Sequence, residues 1–280
     1  MKNFALLIKK ELWENWVNWK TIIVFVFFMA LGVIGTYSRY QNALQMKASF
    51  QSSSSLITGG LEYNIAAGDL ISPLFLFVGV AVTIIAPLML MSTVAHEVQS
   101  GQAASILVKP VRRTAYILSK FIVYLSIFWL AIISSVLISI IYANSVADVT
   151  IDMGQTWRCI GLSLIFALFC ISFMLFLSSI TRNQLIAGGI GIILLFFMSS
   201  TLYSPEVIFT WMPSKLLEWC QNIINNYTPP WDWAYHYPDL GMDSVETEKY
   251  TPAWIAFGFS IISSVILLVI SVMFIKRKEL

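Results

Sequence analysis

An all-α, polytopic membrane protein with six transmembrane helices is what this sequence predicts, and three observations carry that expectation. First, 58% of the 280 residues are hydrophobic and only 11% charged, against roughly 45–50% apolar content in soluble domains. Second, six runs approach or exceed the ~20 apolar residues a helix needs to cross a bilayer: 21–38, 72–95, 115–143, 159–180, 184–204 and 253–275. Third, with the N-terminus inside, only Arg39, Lys47, Arg158, Lys215 and Lys249 of the 17 Lys and Arg residues fall outside. That bias satisfies the positive-inside rule and predicts both termini in the cytoplasm. The net charge of +2 averages a basic inner and an acidic outer side, and gives no reason to expect nucleic acid.

Taken in order, residues 1–20 place Phe4, Ile8, Leu12, Trp16 and Trp19 at helical spacing, with Lys10, Glu14 and Asn18 on another face. This predicts an interfacial helix ahead of the first span. No small-residue cleavage site closes that span, so it reads as retained rather than as a signal peptide. The outer segment 39–70, with QSSSS at 51–55 and TGG at 58–60, has the composition of a partly ordered loop. The longer outer segment 205–252 is richer. Leu216, Leu217, Cys220, Ile223 and Ile224 share one face of an expected surface helix over 214–225. Beyond it, Trp231, Trp233, Tyr235 and Tyr237 alternate along a proline-broken stretch. They form either a platform for a sugar or peptide or, the preferred reading, an aromatic belt at the headgroups.

Several chemistries lose support. With Lys120 assigned to the inner mouth of the third span, the six apolar cores lack Asp, Glu, Lys, Arg and His, which disfavours ion-coupled transport. His96 and Glu97 begin an HExxH zinc motif, but Ser100 stands where the second histidine is needed. Asp232, His236 and Asp239 lack a specific metal spacing, and Cys159, Cys170 and Cys220 lack a paired one. No GxxxxGK[ST] phosphate loop occurs. The chain is therefore expected to be non-catalytic, with any ATP and magnesium held by a partner.

The stretch 96–113 connects the second and third spans. From Glu97 to Leu107 an expected helix turns Val98, Ala103 and Ile106 toward the bundle and leaves Glu97, Gln99, Gln102 and Ser105 for an outside surface. Ala104 lies in its interior. Pro110 stops the helix, and Arg112, Arg113 and Lys120 are placed to anchor the next span at the phosphates.

In this stretch the sequence resembles the ABC-2 type permeases, the membrane subunits of ATP-driven exporters. Glu97, Gly101, Leu107, Pro110, Arg112, Arg113 and Lys120 follow the family pattern in order. Gln99 stands where a second acid is common, and Gln102 where threonine usually follows the glycine. The layout matches over nearly all of 1–280 as one transmembrane domain. The resemblance implies a coupling helix seated in a groove of an ABC ATPase, with two ATPase copies serving a pair of permeases, either two copies of this chain or this chain and a similar one. Lipid surrounds the spans. Their lack of charge suits export of an amphipathic, lipid-like or peptide substrate. The alternative is a mechanical membrane subunit whose acidic outer segment acts on an extracytoplasmic protein or peptide.

Overall fold

Helix periodicity and unbroken apolar runs dominate the chain, and the computed structural model is helical accordingly. It describes residues 2–16, 18–54, 67–95, 97, 113–147, 151–181, 183–200, 211–224 and 253–277. In chain order the helices are α1 (Lys2–Trp16), α2 (Trp19–Ser54), α3 (Ala67–Leu90), α4 (Arg113–Ala147), α5 (Met153–Ile180), α6 (Gln184–Ser200), α7 (Lys215–Ile224) and α8 (Trp254–Arg277). Among the described residues there is no strand.

Among the described residues, five stretches are long and apolar enough to cross a membrane: Trp19–Ser49, Leu70–Leu90, Thr114–Val146, Met153–Ile180 and Trp254–Ile275. The expected fifth span, 184–204, is represented by α6. With 17 residues, α6 extends about 25 Å at 1.5 Å per residue, short of the roughly 30 Å hydrocarbon core. Residues 201–204 lie outside the described residues.

The first span differs from expectation in the other direction. α2 runs for 36 residues through Arg39 and on to Ser54, taking in half of the segment expected as a loop. Neither Gly nor Pro occurs between Gly35 and Gly59, and Ala43, Leu44, Gln45, Met46, Lys47 and Ala48 all favour helix. Polarity marks where a helix leaves an apolar layer, not where it ends.

α5 forms the centre of the bundle, packed against α8, α3, α4, α7 and α6. Its buried residues fall on several sides rather than along one stripe, the pattern of a largely enclosed helix, with Met153, Trp157 and Ile180 exposed near its ends. Asp152 caps it by accepting the Gly154 N–H at 2.8 Å. α2 and α4 approach closely because Gly32 has no side chain. A Cβ there would stand 2.5 Å from the Ser135 carbonyl oxygen, so only glycine permits the crossing. One turn on, the Thr36 hydroxyl donates to the Gly32 carbonyl at 2.8 Å and bonds with the Ser139 hydroxyl of α4.

α7 bears out the expected apolar face. Leu216, Leu217, Trp219 and Cys220 are buried, and Ile223 and Ile224 pack at the edge of the core. The helix sits on α3 and α5, where Leu217 fills the space over Gly79 that a Cβ would need. Cys220 and Cys159 of α5 lie side by side: each Sγ approaches the other's carbonyl oxygen, at 3.4 and 3.5 Å. Both are buried free thiols. Burial pushes the Cys220 thiol well above its ordinary range.

α1 turns a different face to the protein than its aromatic spacing suggested. Among its described side chains Leu7 and Glu11 are buried, and Asn15 continues that line at the same spacing of four. Trp13 and Leu6 point away, 74% and 65% exposed. On the expected apolar stripe Phe4, Ile8 and Leu12 are half-buried and Trp16 packs on Phe25 of α2, while the line carrying polar atoms meets α4.

Candidate functional site

At the end of the bundle that holds α1, backbone irregularity and buried charge coincide. α3 contains Pro73 and Pro87 and gives way after Leu90 to a turn over 91–94. A helix end inside a packed bundle must satisfy its backbone groups there. Ser178 of α5 does so: its Oγ accepts the N–H groups of Val94 and Ala95 at 3.3 and 3.1 Å and reaches the Met91 carbonyl at 3.5 Å. Glu97 follows two residues later and is carried against α4.

On α4, Tyr116, Lys120 and Tyr124 recur every four residues and so share a face. The Lys120 ammonium lies 2.6 Å from a Glu97 carboxylate oxygen, and 3.3 and 3.4 Å from the two of Glu11. It is a shared cation between two carboxylates from different elements. The Tyr116 hydroxyl donates to the second Glu97 oxygen, and its ring lies 5.1 Å from the ammonium. Tyr124 donates to the Asn15 amide oxygen at 3.0 Å. The Asn15 NH₂ donates in turn to the Glu11 carbonyl and carboxylate, at 2.9 and 3.3 Å. Thr21, at the start of α2, donates to the Asn15 carbonyl at 2.6 Å.

Lys120 and Glu11 are 3% and 5% exposed, while Glu97 keeps 20%. Charges so enclosed persist only when paired and hydrogen-bonded, and here the partners come from α1, the start of the α3–α4 connection and α4. A polar cleft of about 230 Å³ opens beside them, walled also by Asn18, Lys20, Ser92 and Thr93.

The expected site residues distribute unevenly. Glu97 and Lys120 are brought together, and Lys120, expected at the lipid phosphates, turns inward because Glu11 and Glu97 offer it two carboxylates. Glu97, expected on an outside surface, gives its carboxylate to Lys120 and Tyr116. Arg113 opens α4. Gln99, Gly101, Gln102, Ala104, Ser105, Leu107, Pro110 and Arg112 lie outside the described residues, as do Trp231, Trp233, Tyr235 and Tyr237. Sequence reasoning missed Glu11, Asn15, Tyr116 and Tyr124. The signal was present as two polar residues four apart on α1 and a Tyr-Lys-Tyr series four apart on α4.

Compared with known families, residues 5–280 match ABC-2 family transporter protein. No curated protein matches the chain. The described residues are helical, several of the helices are long and apolar enough to span a membrane, and the family match covers almost the full length: the chain belongs to the ABC-2 family of transporter proteins, as a multi-pass membrane permease.

Proposed function

We propose that this chain is the permease subunit of an ABC exporter, paired with a second copy of itself or a similar permease and driven by two ATPase subunits that hold ATP and magnesium. The α1 end faces the cytoplasm on this reading, and residues 98–112 form the loop that receives the push of nucleotide closure. The observation that supports it most is the base of that loop. Glu97, immediately before it, is ion-paired to Lys120 and hydrogen-bonded to Tyr116 of α4, so the described residues on its two sides are tied together. A push delivered there would reach α3 and α4 together.

The substrate class that fits is amphipathic, lipid-like or peptide, since α3, α5, α6 and α8 offer serines and threonines but no charged side chain at mid-helix. The experiment is Ala104→Pro. Proline in a helix interior costs about 3 kcal/mol or more and leaves the basic residues that set topology untouched. The variant is expected in the membrane at normal level while capturing much less ATPase in a pull-down. Normal ATPase capture and normal transport by this variant would remove the coupling loop and, with it, the reason for the reading.

A further inference from the structure

Two of the three cysteines come from elements far apart in sequence and share one buried site. Cys159 lies near the start of α5 and Cys220 on α7, 61 positions away. Each thiol points at the other's carbonyl oxygen, and the two thiols also meet side chain to side chain. Both side chains are fully enclosed. A single buried cysteine is a common small filler of a core. Two thiols held against each other by different elements are the reactants of a disulfide. What covers each of them is the element that carries the other, so lifting α7 from α5 exposes both and docking it brings them together.

We propose that Cys159 and Cys220 form a redox site: thiol–disulfide exchange with a small external disulfide, begun while α7 is lifted and completed as it docks, closes a bond that staples α7 to α5. The inference rests on the permease reading above, in which the α1 end faces the cytoplasm and the α7 end therefore lies on the outer side, where disulfides form and persist. The structure holds the reduced form. Cys220, on the shorter element, attacks one sulfur of the external disulfide as a thiolate and expels the other sulfur. Cys159 then attacks the Cys220 sulfur of this mixed disulfide, the bond between them forms, and the second external sulfur leaves. The external disulfide takes up two electrons and becomes two thiols, which receive the two protons that the cysteines lose. The bond closes a long loop, which restricts the unfolded chain, and α7 then cannot leave α5 without breaking it.

The test uses the full-length permease carrying Cys170→Ala, purified reduced and incubated in its folded state with glutathione of rising oxidised share. A peptide map run without reductant is expected to show the Cys159 and Cys220 peptides joined. The oxidised protein should melt about 5–10 °C above the reduced one. Gly79→Ala, which crowds the seat of Leu217 and loosens α7, should speed the oxidation severalfold. Cys159→Ser and Cys220→Ser should show neither the bond nor the rise in melting temperature. Two thiols that stay free, read by alkylation after denaturation, overturn the proposal, as does a bond that forms only in denatured protein. An oxidised protein that melts no higher, or an oxidation rate unchanged by Gly79→Ala, overturns it as well. Sidedness is tested separately with Trp211→Cys, an exposed position at the same end, which should react with a membrane-impermeant maleimide added outside intact cells. Failed oxidation with outside labelling strikes this inference alone and leaves the permease reading standing. Labelling only after the membrane is opened removes both.

Discussion

The two ends of the bundle are held by different physics. At the α1 end, three segments meet on one lysine through directional contacts among buried charges. At the α7 end, a short helix is pressed onto α3 and α5 by shape: Leu217 over Gly79, Cys220 beside Cys159, and Trp219 edge-on to Trp254 of α8 with ring centroids 5.0 Å apart. Charge contacts have preferred positions and large penalties for leaving them. Packed apolar contacts degrade gradually.

The comparison is broken most severely at Lys120. Lys120→Met keeps the stem and removes the cation, leaving two enclosed carboxylates uncompensated. Breaking a buried pair typically costs about 3–5 kcal/mol, and thermal unfolding in detergent should show a loss of that order. A change near zero would mean that water reaches the cluster freely. At the other end, Gly79→Ala drives a methyl into Leu217, and overpacking of this kind costs about 1–3 kcal/mol. Adding Leu217→Ala should recover part of the loss, because the methyl then has room. A double-mutant cycle with no coupling would show that α7 does not rest on α3 as described.

A finer contrast lies within the charge bridge. Glu11→Gln should destabilise more than Glu97→Gln, since Glu11 is 5% and Glu97 20% exposed and water compensates the more open site. Reversal of that order in thermal unfolding would place the weight of the bridge on the loop side. The smallest effect concerns pH. The Cys220 thiol is pushed up by burial, so the folded state binds its proton more tightly than the unfolded chain. Its contribution is intact below the ordinary thiol range near 8.5 and is lost as pH rises beyond it. Stability should therefore fall slightly on going from pH 8 to pH 10, and fall less in Cys220→Ala. Equal slopes for the two proteins would assign the pH dependence elsewhere.

Local features were the legible ones. The apolar runs announced α3, α4, α5 and α8, and five apolar residues at helical spacing announced α7 and the face it buries. The length of α2 was hidden because its distal part is polar, although nothing in 39–54 breaks a helix. Lys120 was read as a lipid anchor because its position at the mouth of a span suits that role. Its real partners are 109 and 23 positions away in sequence, and only the fold brings them to it. Glu11 was passed over because α1 was judged by its aromatic stripe rather than by the polar line beside it.

Ser178 carries a consequence for how the bundle can move. Its hydroxyl binds the backbone just after α3, at Met91, Val94 and Ala95, which ties the register of α5 to the end of α3. Sliding α5 by one turn, about 5.4 Å, in the direction that brings up the preceding residues would put Met174 or Leu175 opposite those amides and leave them without an acceptor. A ratchet in that direction would forfeit both amide hydrogen bonds, at a cost of about 1 kcal/mol each.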